Sequence, residues 1–458
     1  MAIDFEVEPE FQEKLDWIDG FIREEIEPLD LYFRDTVSPF DKSNKTAQAL
    51  VQPLQDRVRE RELWACHLGP HLGGKGYGQV KLALINELLG RSSFAPSVFG
   101  CQAPDSGNAE ILAHFGTDAQ KARYLEPLLA GEISSTYSMT EPQAGSDPNY
   151  FTCRALRDGD QWVINGEKWF ASNFRFATFA IVMVITDPDV PVYRGSSMIL
   201  VPADADGVEV VRNVGLGGDR IGDGDHAYLR FTDVRVPVQN LLGDEGAGFR
   251  IAQERLGGGR VHHGMRSVGA AQRALDMMCE RVLSRETKGS LIAEKQSIQH
   301  WIADSWIQIQ QFRLLVLHTA WLIDTVGDYA KIRHHIAAVK VATPKVLMDV
   351  VYRAMHAHGS LGVSNEMPLL GMWMTGPIMG IADGPSEVHK DTIAKTLLKN
   401  YQPADGLFPS EHLPTRIAEA RKSIEARLEH EIANQCPTAG RSTAGSTSPW
   451  ARSNMLIT

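Results

Sequence analysis

The sequence has no cysteine pair spaced as CxxC. Its five cysteines, Cys66, Cys101, Cys153, Cys279 and Cys436, are scattered, which excludes a zinc-ribbon framework and offers no disulfide scaffold. Free thiols point to a reducing compartment. A run of about 18 apolar residues is also missing, so no transmembrane segment is expected. The opening "MAIDFEVEPEFQEKLD" is acidic and reads as neither a secretory leader nor an Arg-rich transit peptide. The cytoplasm is therefore the expected location, with the mitochondrial matrix or peroxisome the eukaryotic alternatives. Positive charge is in short supply: 46 Lys and Arg against 57 Asp and Glu give a net charge of −11. That balance argues against a nucleic-acid partner.

Several familiar cofactor motifs are absent. "GPHLGGKG" from Gly69 has Gly76 where a phosphate-binding loop needs Ser or Thr. "GLGGDRIGDG" from Gly215 is not GxGxxG and opens no helix. "HEIAN" from His430 ends on Asn434 where a zinc motif needs histidine. The pairs His262-His263 and His334-His335 are not at ligand spacing, so no metal is expected.

What is present is a globular composition, 43% hydrophobic and 22% charged, with chain enough for two or three domains. The texture changes along it. Residues 1–135 read as helical; in "FQEKLDWIDGFIREEI", Leu15, Ile18, Phe21 and Ile22 fall at helical spacing. "KLALINELLGR" and "NAEILAHFG" each reach a glycine suited to a helix stop. Residues 136–246 read as short strands, with Asn165-Gly166 a hairpin signal inside "DQWVINGEKWFAS". Residues 247–400 return to long amphipathic helices. Residues 401–458 read as a linker, one more helix carrying Ile417, Ile424, Leu428 and Ile432, and a Ser/Thr/Gly/Pro-rich tail expected to be disordered. No internal repeat is apparent.

In "IADGPSEVHKDTIAK", from Ile381, Gly384 and Pro385 interrupt any helix. Asp383 is thereby placed at a loop tip or helix end. Taken alone, it reads equally as a base facing a cleft or as an acid capping the following helix.

Four segments in order decide more than any one of them. Tyr137–Asn173, "YSMTEPQAGSDPNYFTCRALRDGDQWVINGEKWFASN", resembles the flavin-binding signature of the acyl-CoA dehydrogenase family. Gly257–Asp276, "GGGRVHHGMRSVGAAQRALD", resembles the start of a long helix in that family's C-terminal region. Arg285–Gln296, "RETKGSLIAEKQ", resembles its Arg-x-Thr-x-Gly segment, and His356–Val363, "HAHGSLGV", its flavin turn. From that turn the spacing to Asp383 equals the family's spacing to its catalytic glutamate. "FAPSVFGCQAPDSGNAEIL", "GRVHHGMRSVG" and "ADGPSEVH" look like the branch of family members ten and eleven, dehydrogenase part only.

The resemblance implies an α+β architecture: an N-terminal helical domain, a middle antiparallel β-barrel-like domain and a C-terminal four-helix bundle. It implies FAD as cofactor and α,β-dehydrogenation of an acyl-CoA to the trans-2-enoyl-CoA, with hydride passing to flavin N5 and electrons to an electron-transfer flavoprotein. Asp383 would be the base that removes the α-proton, and its backbone N–H would bond the thioester oxygen. Tyr137, Met139, Thr140 and Ser146 would line flavin and CoA. Phe170 would lie against the flavin where most members place tryptophan, with Trp169 on the opposite strand face. Ser172 would offer a hydroxyl to flavin N5. Arg285, Thr287 and Gln296 would reach the FAD of a neighbouring subunit, which implies a homodimer or homotetramer. His356, Gly359 and Ser360 would form the flavin turn. Glu387 would occupy a flavin-contacting slot and share a helix face with Asp383 if the segment is helical. Arg260 and Gly384 would hold the thioester region or the base's loop. Two other functions stay open at this point: a flavin-dependent oxidase on the same fold, acting on nitroalkanes or acyl-CoA, and a weakly catalytic CoA- or flavin-binding scaffold.

Overall fold

The helices α1 (Pro9–Phe21), α2 (Lys45–Glu60), α3 (Gly78–Leu89) and α4 (Asp105–Phe115) form before any strand of the main sheet appears. The computed structural model describes residues 6–34, 36–69 and 74–435, with the side chains of 434 and 435 left aside. The expected disordered tail, and half of the near-miss phosphate loop, lie outside these. In α1, Phe11, Leu15, Ile18 and Phe21 share the buried face, as three-and-four spacing requires. They join Val51, Leu54 and Val58 of α2 and Ile85 and Leu89 of α3 in one apolar cluster.

The helices α3 and α4 do stop at the expected glycines, but not through a left-handed cap. Gly90 and Gly116 both have negative φ, so neither makes a left-handed stop. A Cβ on Gly90 would fall 2.0 Å from the Arg266 carbonyl oxygen. That residue is small because another helix backbone passes against it.

Strands follow: β1 (Ser135–Ser138), β2 (Arg154–Asp158), β3 (Gln161–Ser172), β4 (Phe179–Ile185), β5 (Ser196–Pro202), β6 (Val208–Val214), β7 (His226–Pro237) and β8 (Leu241–Leu242). They build a mainly antiparallel sheet in the order β6-β7-β3-β2-β4-β5-β8, with β1 added parallel to β4. The uninterrupted apolar run of β4 is buried on both faces. Phe179, Ile181 and Met183 point into one cluster, while Ala180, Val182 and Val184 point into another, as period-two alternation demands.

The Asn165-Gly166 pair is not a hairpin turn. β3 runs through it, and the turn lies at Gly159-Asp160, between Asp158 and its partner Gln161. The register with β7 slips here: one residue of β3, Asn165, stands opposite two of β7, Thr232 and Asp233, so the bulge's extra residue lies on β7, where Asp233 has φ 48°. Gly166 has φ 140°, and a Cβ there would sit 2.5 Å from the Cys153 Cα. Asn165 is held instead by two bonds to Asp233: its Nδ2 donates to Asp233 Oδ1 and its Oδ1 accepts from the Asp233 amide. Glycine's freedom is used here for a close backbone approach opposite a bulge, not for a turn.

The C-terminal helices are α5 (Gly248–Ser284), α6 (Gln296–Val326), α7 (Tyr329–His358), α8 (Leu369–Ile381) and α9 (Ser386–Leu398). Val261, Met265 and Val268 of α5, Ile309, Phe312 and Val316 of α6, and Val339, Leu347 and Val350 of α7 share one core. Between α5 and α6 a short hairpin pairs β9 (Glu286–Thr287) with β10 (Ser290–Leu291). A last helix, α10 (Leu413–Gln435), belongs to a separate unit that begins at Leu397. Among the described residues no helix is long and apolar enough to cross a membrane.

Candidate active site

Asp383 lies between α8 and α9 with φ 55°, followed by Gly384 at φ 100°. A non-glycine residue in the left-handed region persists only where its surroundings hold it. Here two side chains do so. Arg260 Nε of α5 donates to the Asp383 carbonyl oxygen at 3.0 Å. His389 Nε2 of α9 approaches the same oxygen at 3.2 Å. Since a carbonyl only accepts, Nε2 carries the proton. Burial pushes the His389 imidazole down to about 4, so the ring is neutral when it makes this bond. Nearby, Lys340 Nζ bonds the Met379 carbonyl in the last turn of α8. Arg260, from α5, thus holds the loop that carries Asp383.

The Asp383 carboxylate makes no hydrogen bond to an α9 amide among the described residues, so it is not the helix cap. Its Oδ2 faces His263 Nε2 at 3.8 Å, and the side chain keeps 22% of its surface open. Glu387 does not share a helix face with it, because the chain at Asp383 is left-handed and α9 starts at Ser386. Glu387 is exposed in the first turn of α9, 3.9 Å from Lys390.

Strand β1 links this loop to a second group. Tyr137 lies under the Arg255 guanidinium, 4.0 Å from its ring centre. Arg255 Nε donates to Asn108 Oδ1 at 2.8 Å. Burial lowers the Arg255 pKa, and the fields of Tyr137 and Asp383 oppose that shift. Its neighbour Thr136 faces the other way and donates its hydroxyl to the Ser172 carbonyl at 2.6 Å. Ser172 Oγ pairs with His226 Nδ1 at 2.9 Å. Phe170 stacks on the same imidazole, 4.9 Å between ring centres. Trp169 is not on the opposite face. A second register slip, between Lys168 and Ala171, leaves Phe170 at φ 56° and brings the Trp169 ring within 5.3 Å of it. Phe170 still offers an open aromatic plane, 37% exposed.

The loop carrying Met139, Thr140 and Ser146 is anchored by an ion pair that the sequence did not announce. Glu141 and Lys168 are both fully buried and meet at 2.9 Å. Lys168 Nζ also donates to the Met139 carbonyl, and the Trp169 amide to the Thr140 carbonyl. The amides of Thr152 and Cys153 donate to Glu141. Ser146 is exposed at the tip.

A third group stands on α5 to α7. Arg285 Nη1 donates to the His358 carbonyl at 3.4 Å. Gly359, at φ 67°, lies so close that a Cβ would sit 3.2 Å from that nitrogen. Thr287 is on β9, Gln296 is the exposed first residue of α6, and Ser360 is exposed beyond the glycine. His356 lies against Tyr352, ring centres 4.2 Å apart and planes tilted by 48°; both line a cavity of about 220 Å³ with Trp301, Asp349 and Arg353. Among the described residues no hydrogen bond or ring contact joins this group to Phe170 and Ser172.

The glycine run Gly257-Gly258 packs where side chains would not fit. A Cβ on Gly257 would lie 2.8 Å from the Tyr329 ring, and one on Gly258 3.1 Å from Glu110 Oε2. Tyr329 donates to Glu110 Oε1 at 3.4 Å. Burial, reinforced by Glu254, pushes the Glu110 carboxyl up to about 8.

Three family descriptions match along the chain: the acyl-CoA dehydrogenase N-terminal domain at residues 9–132, the middle domain at 136–234 and the C-terminal domain at 246–398. The chain belongs to the acyl-CoA dehydrogenase family. It is 40% identical over 400 residues to acyl-CoA dehydrogenase family member 11 of Rattus norvegicus, a match that takes in 85% of this chain and 50% of that protein. The chain thus spans about half the length of these curated relatives. Against FadE2 of Mycobacterium tuberculosis, named a probable acyl-CoA dehydrogenase, it is 42% identical over 372 residues, 80% of this chain and 89% of that one. The solved butyryl-CoA dehydrogenase of Megasphaera elsdenii is 27% identical, with a TM-score of 0.74 over 86% of this chain and all of that one.

This family depends on FAD, and the residues present fit it. The open plane of Phe170 and the Ser172 hydroxyl suit a flavin ring. Arg285, set against the bare backbone of Gly359, suits a diphosphate. Of the histidines at the site, His226 goes unmarked in the sequence, and His263 figures there only as half of a pair without metal-ligand spacing. Only the position of His389, two residues after Glu387, gave any signal.

Proposed function

We propose that this protein is an acyl-CoA dehydrogenase that forms the trans-2-enoyl-CoA and passes electrons to an electron-transfer flavoprotein. Bound FAD would supply the hydride acceptor. The observation that carries the reading is the locked conformation of Asp383. A strained carboxylate residue, pinned through its carbonyl by Arg260 and His389 while its side chain stays accessible, is arranged to receive a proton from a fixed direction.

In this reading Asp383 Oδ2 takes the α-proton. Arg260 and His389 keep the carboxylate from swinging away as its charge is lost. Gly384, with no side chain, leaves the thioester room to approach. The buried Glu141–Lys168 pair holds the Met139–Ser146 loop as one wall, and Tyr137 fixes the strand behind it. Ser172 keeps a donor, set by His226, beside Phe170. Glu387 and Ser146 sit at the open edge, where a cofactor or CoA arm would cover them.

The separation of the Arg285, Thr287, Gln296, His356, Gly359 and Ser360 group from Phe170 and Ser172 supports assembly. One chain would complete the FAD site of another in a homodimer or homotetramer. Trp306, Ile307 and Leu314 on α6 are exposed at 55%, 44% and 53%, an apolar face suited to such a contact. Anaerobic titration with a panel of acyl-CoAs tests the function: flavin absorbance should bleach, then recover slowly in air and rapidly with electron-transfer flavoprotein. Rapid recovery in air alone would make the protein an oxidase.

A further inference from the structure

The helix α10 lies beyond residue 398, where the match to the family ends. Leu413, Ile417, Ala420, Ile424, Leu428 and Ile432 recur along it every three or four residues, which gathers them on one face. The five large ones are exposed at 68%, 50%, 50%, 53% and 65% in that order. A helix in water gains little from propensity alone, and most helical stability comes from packing an amphipathic face. This face therefore calls for a partner.

The charges select which partner. Up to Ser423 the helix carries Arg416, Arg421 and Lys422 against Glu419. From Ile424 onward it carries Glu425, Glu429 and Glu431 against Arg427. Arg416 also meets Glu411, just before the helix. Basic residues toward the N-terminus and acidic ones toward the C-terminus are the reverse of what the helix dipole favours. The pattern does not serve the lone helix. Laid antiparallel on a second copy of itself, however, the basic half of each helix meets the acidic half of the other, twice over. That is the self-complementary arrangement a two-fold axis requires. A parallel pair would set like charges together.

We propose that α10 pairs antiparallel with α10 of a second copy of this chain through this face, with the two-fold axis close to Ile424. The pair is small and rests on the proposed assembly, in which tethering to associated folded domains raises its effective concentration.

Cysteine cross-linking of the full-length protein tests orientation and partner together. The background is Cys279→Ser and Cys436→Ser; Cys66, Cys101 and Cys153 are buried. Near the axis, Ile424→Cys should give a covalent dimer on mild oxidation. Ile417→Cys alone should not, since seven residues from the axis at about 1.5 Å each puts the two copies roughly 20 Å apart, against a disulfide reach of about 7 Å. Co-expressed Ile417→Cys and Ile432→Cys chains should cross-link to each other. Arg421→Glu with Lys422→Glu should cut the Ile424→Cys yield several-fold while flavin content stays unchanged. Equal self-linking at Ile417, Ile424 and Ile432 would overturn the antiparallel arrangement. No link at any of these positions in soluble, flavin-loaded protein would overturn self-pairing and assign the face to another occupant.

Discussion

His263 Nε2 stands 3.8 Å from Asp383 Oδ2, reaching from α5 to the loop before α9. Burial pushes this imidazole below its ordinary pKa, against the opposing field of Asp383, so at neutral pH the ring is uncharged. The separation is longer than a hydrogen bond. The imidazole therefore bounds the space in which the carboxylate moves without neutralising it.

His263→Ala should widen that space. A shift of about 1 Å in a reacting group costs around 10²-fold, so flavin reduction by substrate should slow by about 10- to 100-fold while KM changes little. Stopped-flow reduction, with FAD content checked first, is the measurement. A raised KM with an unchanged reduction rate would instead place His263 on the substrate.

Arg260 and His389 share one acceptor, the Asp383 carbonyl. Their effects should therefore not add. Arg260→Ala and His389→Ala should each slow reduction, and the double variant should be faster than the product of the two single losses implies. Additive losses would mean that the two side chains act on separate features.

Lys168→Met leaves Glu141 buried without its cation. Removing one partner of a buried pair costs about 3–5 kcal/mol, and FAD should bind more weakly as the Met139–Ser146 loop loosens. Urea unfolding and flavin fluorescence report the two effects. Glu141→Gln added to Lys168→Met should recover part of the stability. Burial opposes ionisation of Glu141, but Lys168 and the Thr152 and Cys153 amides together hold its carboxyl below the ordinary value of 4.5. Its folded pKa is depressed, so its contribution is present above pH 4.5 and is lost as pH falls through the folded value.

Glu110 shifts the other way. Burial, then Glu254, raises its carboxyl from 4.5 to about 8. Between those values the folded chain holds a proton that the unfolded chain has released, so stability falls as pH rises across that window. Glu110→Gln removes this dependence. Its Tm relative to the parent should therefore be higher at pH 8 than at pH 5, and a constant difference would show that Glu110 ionises normally.

The three-part architecture was legible because each texture has its own period: 3.6 in α1, and a continuous apolar run in β4 that only a strand buried on both faces explains. Local ambiguity defeated the rest. Asn-Gly reads as a turn, yet Asn165 and Gly166 lie within a strand opposite a bulge in β7, and the turn went to Gly159-Asp160. Alternation predicts Trp169 and Phe170 on opposite faces, but a register slip at that point cancels it. The partners of Asp383 come from chain positions 123 residues before and 6 after it, a convergence that no single stretch of sequence displays. Nor does the sequence show its left-handed backbone, although the Gly-Pro that follows hinted at a break.

The most direct test of the central claim is single-turnover flavin reduction, without oxygen, in Asp383→Asn set beside Glu387→Gln, each loaded with FAD. Removing a positioned base costs about 10²–10⁴-fold. Asp383→Asn should bind acyl-CoA and bleach its flavin slower by that factor, while Glu387→Gln retains far more of the parental rate. Parental reduction in Asp383→Asn together with a dead Glu387→Gln would contradict the account and assign the base to Glu387.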